Sequence, residues 1–167
     1  LLREADLEPR VVEADGLVLG NLSALLPLPG TRLLLDLGHR KSTFSLSLDG
    51  RVVSTRTIQL GGLALTQALA KERCCSEAEA ERQKCELGIF GESGEANSPA
   101  ALAVLDRLVR EIVRTLSALE PLLGGPAVAR LDEITLLGGT ARLPQIDLHL
   151  AQRTGIATAR IDVPAVV

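Results

Sequence analysis

Residues 31 to 60 read TRLLLDLGHRKSTFSLSLDGRVVSTRTIQL, and this stretch leaves the chain few folds to choose from. Phe44, Leu46 and Leu48 alternate with Thr43, Ser45 and Ser47, the period of two that belongs to a strand with one buried face. Asp49-Gly50 follows at once, a pair suited to a type I′ hairpin turn because both central residues there need positive φ. Thr31 to Leu37 is a nearly continuous apolar run too short for a full helix, which predicts a central strand covered on both faces. Strands over 32–37, 42–48 and 51–59 would then form an antiparallel meander.

The flanks supply the helices. RVVEA, from Arg10 to Ala14, predicts a short strand, and DGLVLGNLSALLP predicts a helix that stops before Pro27, with Leu17, Leu19, Leu22, Leu25 and Leu26 as its apolar positions. After Leu60-Gly61-Gly62, LALTQALAKER predicts a helix directly. Ser76 and Glu79 form a capping box that starts another helix over SEAEAERQKCEL, and GIFGESGEANSP predicts an exposed loop. Ser98 as N-cap and Pro99 at the first helical position open a long helix, in which Leu102, Leu105, Leu108, Val109, Ile112, Leu116 and Leu119 recur at steps of three and four. Beyond Gly124-Gly125-Pro126, DEITLLGG predicts a short strand and glycine turn, LPQIDLHLAQRTG a helix and ATARIDV a last strand. The order predicts an α/β lobe over residues 1–167, a mixed sheet with an antiparallel meander flanked by helices, carrying a helical insertion-like region at about 63–97.

Composition narrows the function classes. With 167 residues the chain can bury one sizeable core, and 46% apolar against 23% charged residues is ordinary for a globular domain. A net charge of −3, with two Phe and no Trp or Tyr, removes both the basic footprint and the stacking platforms that nucleic acids require. No run of about 18 apolar residues appears, so any membrane association is expected through flanks or partners. The absence of Met from the whole chain predicts a piece of a longer polypeptide. Cys74, Cys75 and Cys85 are odd in number and lie in no zinc-like spacing with His39 or His149, which predicts small, partly buried thiols on helices in a reducing compartment. His149 is expected at the surface rather than as a ligand.

Two places combine a strand end, a Gly-Gly and a helix start, Leu60-Gly61-Gly62 and Leu137-Gly138-Gly139. Glycines there let backbone N–H groups approach a phosphate, and the helix terminus adds partial positive charge. Neither site has P-loop or dinucleotide-fold spacing. Taken in order, DLG-x-x-x-S with its hairpin, IQLGG before a helix and ITLLGGTARLP before another helix resemble the second lobe of the actin-like ATPase superfamily, which has a ribonuclease H-like architecture. That superfamily includes actin, the seventy-kilodalton heat-shock chaperones and the cell-division protein FtsA. Within it, RTIQLGGLALTQALA, the AE-x-x-K-like SEAEAERQK and LEPRVVEADGLVLGNL are most similar to PilM of type IV pilus assembly and its type II secretion counterpart GspL.

The resemblance implies a second phosphate motif at Asp36, Gly38 and Ser42, phosphate contacts at Gly61 and Gly62, and an adenosine motif at Gly138, Gly139, Thr140, Arg142 and Pro144. It further implies ATP in the full-length protein, with Mg²⁺ at Asp36 through water, and no cofactor held by this lobe alone, because the first phosphate motif belongs to the other lobe. Lys41 departs from the pattern, standing where the family usually places Thr or another small residue. The implied function is a non-enzymatic scaffold in the bacterial cytoplasm at the inner membrane. Its partners would be an inner-membrane platform protein and the hexameric secretion ATPase, and the other implied reading is a nucleotide-binding ATPase or phosphotransferase lobe. No general base is assignable, since Glu120, Asp132 and Glu133 read as solvated charges at element ends.

Overall fold

The computed structural model describes residues 8, 11, 13–91 and 97–161. Five strands form one mixed sheet in the order β3-β2-β1-β4-β5: β1 Thr31–Leu37, β2 Ser42–Leu48, β3 Arg51–Ile58, β4 Glu133–Leu137 and β5 Thr158–Arg160. The meander is as expected, with β1 pairing antiparallel to β2 (Leu35 opposite Phe44) and β2 to β3. β1 also pairs in parallel with β4, and β4 with β5, so β1 is the central strand. Leu33, Leu34 and Leu35 are accordingly fully buried.

One sheet face carries the core. Leu33, Leu35, Leu37, Phe44, Leu46, Ile134 and Leu136 cluster with residues of three helices, α2 Gly62–Arg73, α4 Pro99–Leu123 and α6 Ile146–Thr154. Each buried Leu or Ile contributes about 1.5 to 3 kcal/mol relative to exposure, so this layer dominates the stability. α4 buries Leu105, Leu108, Val109, Ile112, Leu116 and Leu119, the stripe read from the sequence, and Ser98 caps it by accepting from the Ala101 N–H at 3.0 Å. Gly124 ends it in the left-handed conformation, φ 68°. At the sheet edge, Arg56 on β3 donates to Thr115 and Glu111 of α4, each at 2.6 Å. α3, Glu77–Leu87, packs on α2, and Ser76 accepts from the Glu79 N–H at 3.2 Å. The reciprocal half of that capping box is replaced: the Glu79 carboxylate takes Arg82 and Gln83 instead.

Five expectations need correction. β2 is buried on both faces, because Thr43, Ser45 and Ser47 are covered as fully as the apolar row. Their cover is α1, Asp15–Val18, continued by a 3-10 turn over Leu19–Ala24, which lies on small hydroxyls where a larger side chain would hold it off. Ser45 Oγ donates to the Gly16 carbonyl at 2.9 Å, and a Cβ on Gly16 would fall 1.7 Å from Thr55 Oγ1. Second, this helical stretch is short and largely 3-10, and it does not bury its leucines: Leu17 is 54% and Leu25 73% exposed. Third, the strand expected over Arg10–Ala14 lies partly outside the described residues, and Val11, Glu13 and Ala14 have no regular structure. Fourth, Cys74 and Cys85 are exposed free thiols, and only Cys75 is partly buried. Fifth, Glu133 is part-buried in an ion pair with Arg32 Nη1 at 2.6 Å rather than solvated, while Asp132 is exposed as expected and also accepts from the Thr31 N–H at 2.8 Å.

Candidate functional site

The C-terminal ends of the adjacent parallel strands β1 and β4 bring the two predicted motifs together. Asp36, at the end of β1, lies against the turn after β4, where Gly138 has φ +86° and a Cβ would fall 2.3 Å from Asp36 Oδ1. Only glycine permits that approach and that conformation. Gly139, in contrast, has ordinary helical angles and open space around it. Thr140 turns back to donate from Oγ1 to the Gly38 carbonyl at 2.9 Å, tying the adenosine-type turn to the hairpin loop.

The hairpin loop is also seated on the start of α2. Gly62 N–H donates to the Gly38 carbonyl at 2.9 Å and Leu63 N–H to the His39 carbonyl at 2.7 Å. Gly61 has both carbonyls within 2.6 Å of where a Cβ would stand. These α2 amides are therefore engaged by the protein, so a phosphate would meet the loop rather than the bare helix terminus. Ser42 is 1% exposed, and its Oγ donates to the Leu60 carbonyl at 2.6 Å, which pins the hairpin to the segment before α2.

Two clefts open on either side of His39. One, of about 480 Å³, is lined by Asp36, Gly38, His39, Arg40, Lys41 and Gln59. The other, of about 380 Å³, is lined by His39, Glu81, Lys84, Thr140, Arg142 and Pro144, among others. Both volumes are in the range of small-molecule sites. In the first, burial pushes the Asp36 carboxyl up, with Lys41 opposing and Asp15 adding to the rise. Lys41 forms an ion pair with Asp15 at the start of α1. Asp36 is the sole carboxylate lining this cleft among the described residues, facing Arg40 and Lys41. No group of three His, Cys, Asp or Glu side chains able to hold a metal occurs among the described residues. In this lobe Asp36 is the carboxylate of the cleft that could meet a phosphate-bound Mg²⁺.

The second cleft holds Glu81 and Lys84, the acid and base of the AE-x-x-K-like helix, to which the sequence reading gave no site role. Lys84 is only 4% exposed, and its ammonium donates to Gly62 O at 3.2 Å, Thr66 Oγ1 at 2.9 Å and Glu81 Oε2 at 2.6 Å. Burial raises the Glu81 carboxyl, but hydrogen bonds from Lys84 and Thr66 bring it below its usual value. The signal for Lys84 was its place four residues after Ala80, on the one buried face of a charged helix. His149 is half-buried, tilted against Phe90 at 5.2 Å, away from both clefts.

Comparison with solved structures places this arrangement. The chain superposes on a PilM-PilN type IV pilus biogenesis complex with a TM-score of 0.77 and 24% identity, over 96% of this chain and 45% of that one. MreB5 of Spiroplasma citri bound to ADP gives 0.76 and 18% identity, over 96% and 57%. An archaeal actin homologue gives 0.60 and 17% identity, over 91% and 49%. The fold is actin-like, and the chain spans about half the length of the structures it matches. No curated protein matches it by sequence. The family model of the type IV pilus assembly protein PilM matches residues 1–165, almost the full length; the chain belongs to the PilM family of type IV pilus assembly proteins.

Proposed function

We propose that this chain is the nucleotide-holding lobe of a pilus-assembly scaffold, using an adenine nucleotide as a structural ligand rather than as a substrate. The observation that carries the reading is the pair of clefts meeting at His39, which puts the strand-end motif of β1 and the glycine turn of β4 on one continuous surface. In this reading Lys84, Glu81, Thr140 and Arg142 receive the nucleoside, while Asp36, Gly38 and Lys41 face its phosphates. Gly61, Gly62 and Ser42 hold the loop in place, and Gly138 and Gly139 shape the turn. One lobe supplies one wall, and the other wall belongs to the remainder of the protein.

The scaffold reading is supported by the family and by the matched complex, whose second component, PilN, is the model for this protein's own partner. The proposed location is the cytoplasm at the inner membrane; no helix among the described residues is long and apolar enough to cross one. The pilus half of the sequence resemblance is the half the comparisons support, so the secretion ATPase is set aside as a partner.

The test uses the full-length protein, co-expressed with the pilus inner-membrane components of its source. Affinity purification is expected to recover a PilN-like component, and ATP titration by calorimetry to show saturable binding without turnover. Recovery of no pilus component would overturn the scaffold reading, and phosphate release at enzymatic rates would favour the ATPase.

A further inference from the structure

The cleft around Asp36 has an unusual charge balance for a site facing phosphates. Its lining side chains include two permanent cations, Arg40 and Lys41, against the single carboxylate of Asp36. That carboxylate is half-buried, with one oxygen packed against Gly138. The second acid nearby, Asp15, is already paired with Lys41 across the mouth of the cleft.

From this geometry, and resting on the nucleotide reading above, we infer that the Lys41 ammonium is the built-in counter-ion of this cleft: the nucleotide's phosphates bind to it without a divalent cation. A lysine ammonium has three donors, so Lys41 can hold Asp15 with one and phosphate oxygens with the others. Its pair with Asp15 is no obstacle, because both side chains are about half exposed, at 48% and 62%, and such pairs are weak. A Mg²⁺ ion shared between phosphates and Asp36 would instead stand beside an ammonium and a guanidinium. Asp36 is the one carboxylate that this lobe's lining offers the ion, the low end of the one or two that a usual Mg²⁺ site combines with substrate phosphates, and here two cationic side chains offset its charge. Lys41 is also placed to be effective, since the Gly38 N–H donates to the Lys41 carbonyl at 3.1 Å and closes the loop that projects it.

The experiment is calorimetric titration of the full-length protein with ATP, once in excess EDTA and once in millimolar magnesium chloride, repeated with Lys41→Thr and with adenosine in place of ATP. The two conditions are expected to give dissociation constants within about threefold of each other for the unaltered protein, and Lys41→Thr to weaken binding in EDTA by about tenfold or more. Adenosine, lacking phosphates, is expected to bind both proteins equally. Lys41 is exposed, so the variant is expected to fold, and Lys41→Met, which keeps the aliphatic stem, serves as the second variant with the same expected loss. The inference is overturned if EDTA abolishes ATP binding that magnesium supports, or if both variants bind ATP in EDTA as tightly as the unaltered protein. Magnesium-dependent binding leaves the nucleotide reading standing and removes only the role of Lys41, whereas no ATP binding in either buffer removes both.

Discussion

Gly138 and Gly139 are neighbours of one kind in the sequence and opposites in the structure. Gly138 has positive φ and lies against Asp36, whereas Gly139 has φ −64° and nothing within 4 Å of an added Cβ. Gly138→Ala is expected to destabilise the chain by about 2 kcal/mol or more, from strained backbone before any clash is counted. Gly139→Ala is expected to be neutral or stabilising by up to about 1 kcal/mol, since Ala adopts those angles freely and narrows the unfolded ensemble. Urea unfolding midpoints of the two variants check the contrast, and equal losses would refute it. A Gly-Gly motif tells a reader that a turn is tight but not which glycine makes it so, because φ is set by the strand and helix on either side. Lys84 stood in a motif, but its burial was obscure for a similar reason, since that burial depends on α2, which is distant until the two helices pack.

Among the elements, the link between α2 and α4 depends on a titratable group. Glu72, in the last turn of α2, accepts from Ser98 Oγ at 2.7 Å and from the Ala100 N–H at 2.9 Å at the start of α4. The Ser98 hydroxyl first, and the Ala100 amide with it, hold the Glu72 carboxyl below its ordinary value of 4.5. A carboxyl whose folded value is depressed adds stability that is complete above its unfolded value and is lost as pH falls through the folded one. Glu72→Gln is therefore expected to melt at a lower temperature than the parent at pH 7, and the difference to close as pH is lowered from 4.5; calorimetry across pH checks this, and a pH-independent gap would refute it. At this scale the meander, the long helix and the paired glycine turns were legible, since period, caps and turn residues are local signals. What was not legible came from contacts distant in sequence. The hydroxyl row of β2 reads as a wet face until α1, some thirty residues earlier, is laid across it.

For the whole molecule, the sheet order puts both motifs at one end because β1 and β4 are parallel neighbours, although about a hundred residues separate them. A ligand bridging the two strand ends binds only the folded lobe. At a hundredfold excess over its dissociation constant it stabilises by about 2.7 kcal/mol. Thermal denaturation of the full-length protein is expected to show a higher melting temperature with ATP than without, and an unchanged melting temperature at saturating ATP would count against the nucleotide reading. The polar seat of α1 has a further consequence. α1 is joined to the sheet by a Ser45 hydrogen bond and a glycine contact rather than by the leucine layer, and its Asp15 pairs with Lys41, so whatever fixes this four-residue helix also fixes where the cleft's ammonium stands.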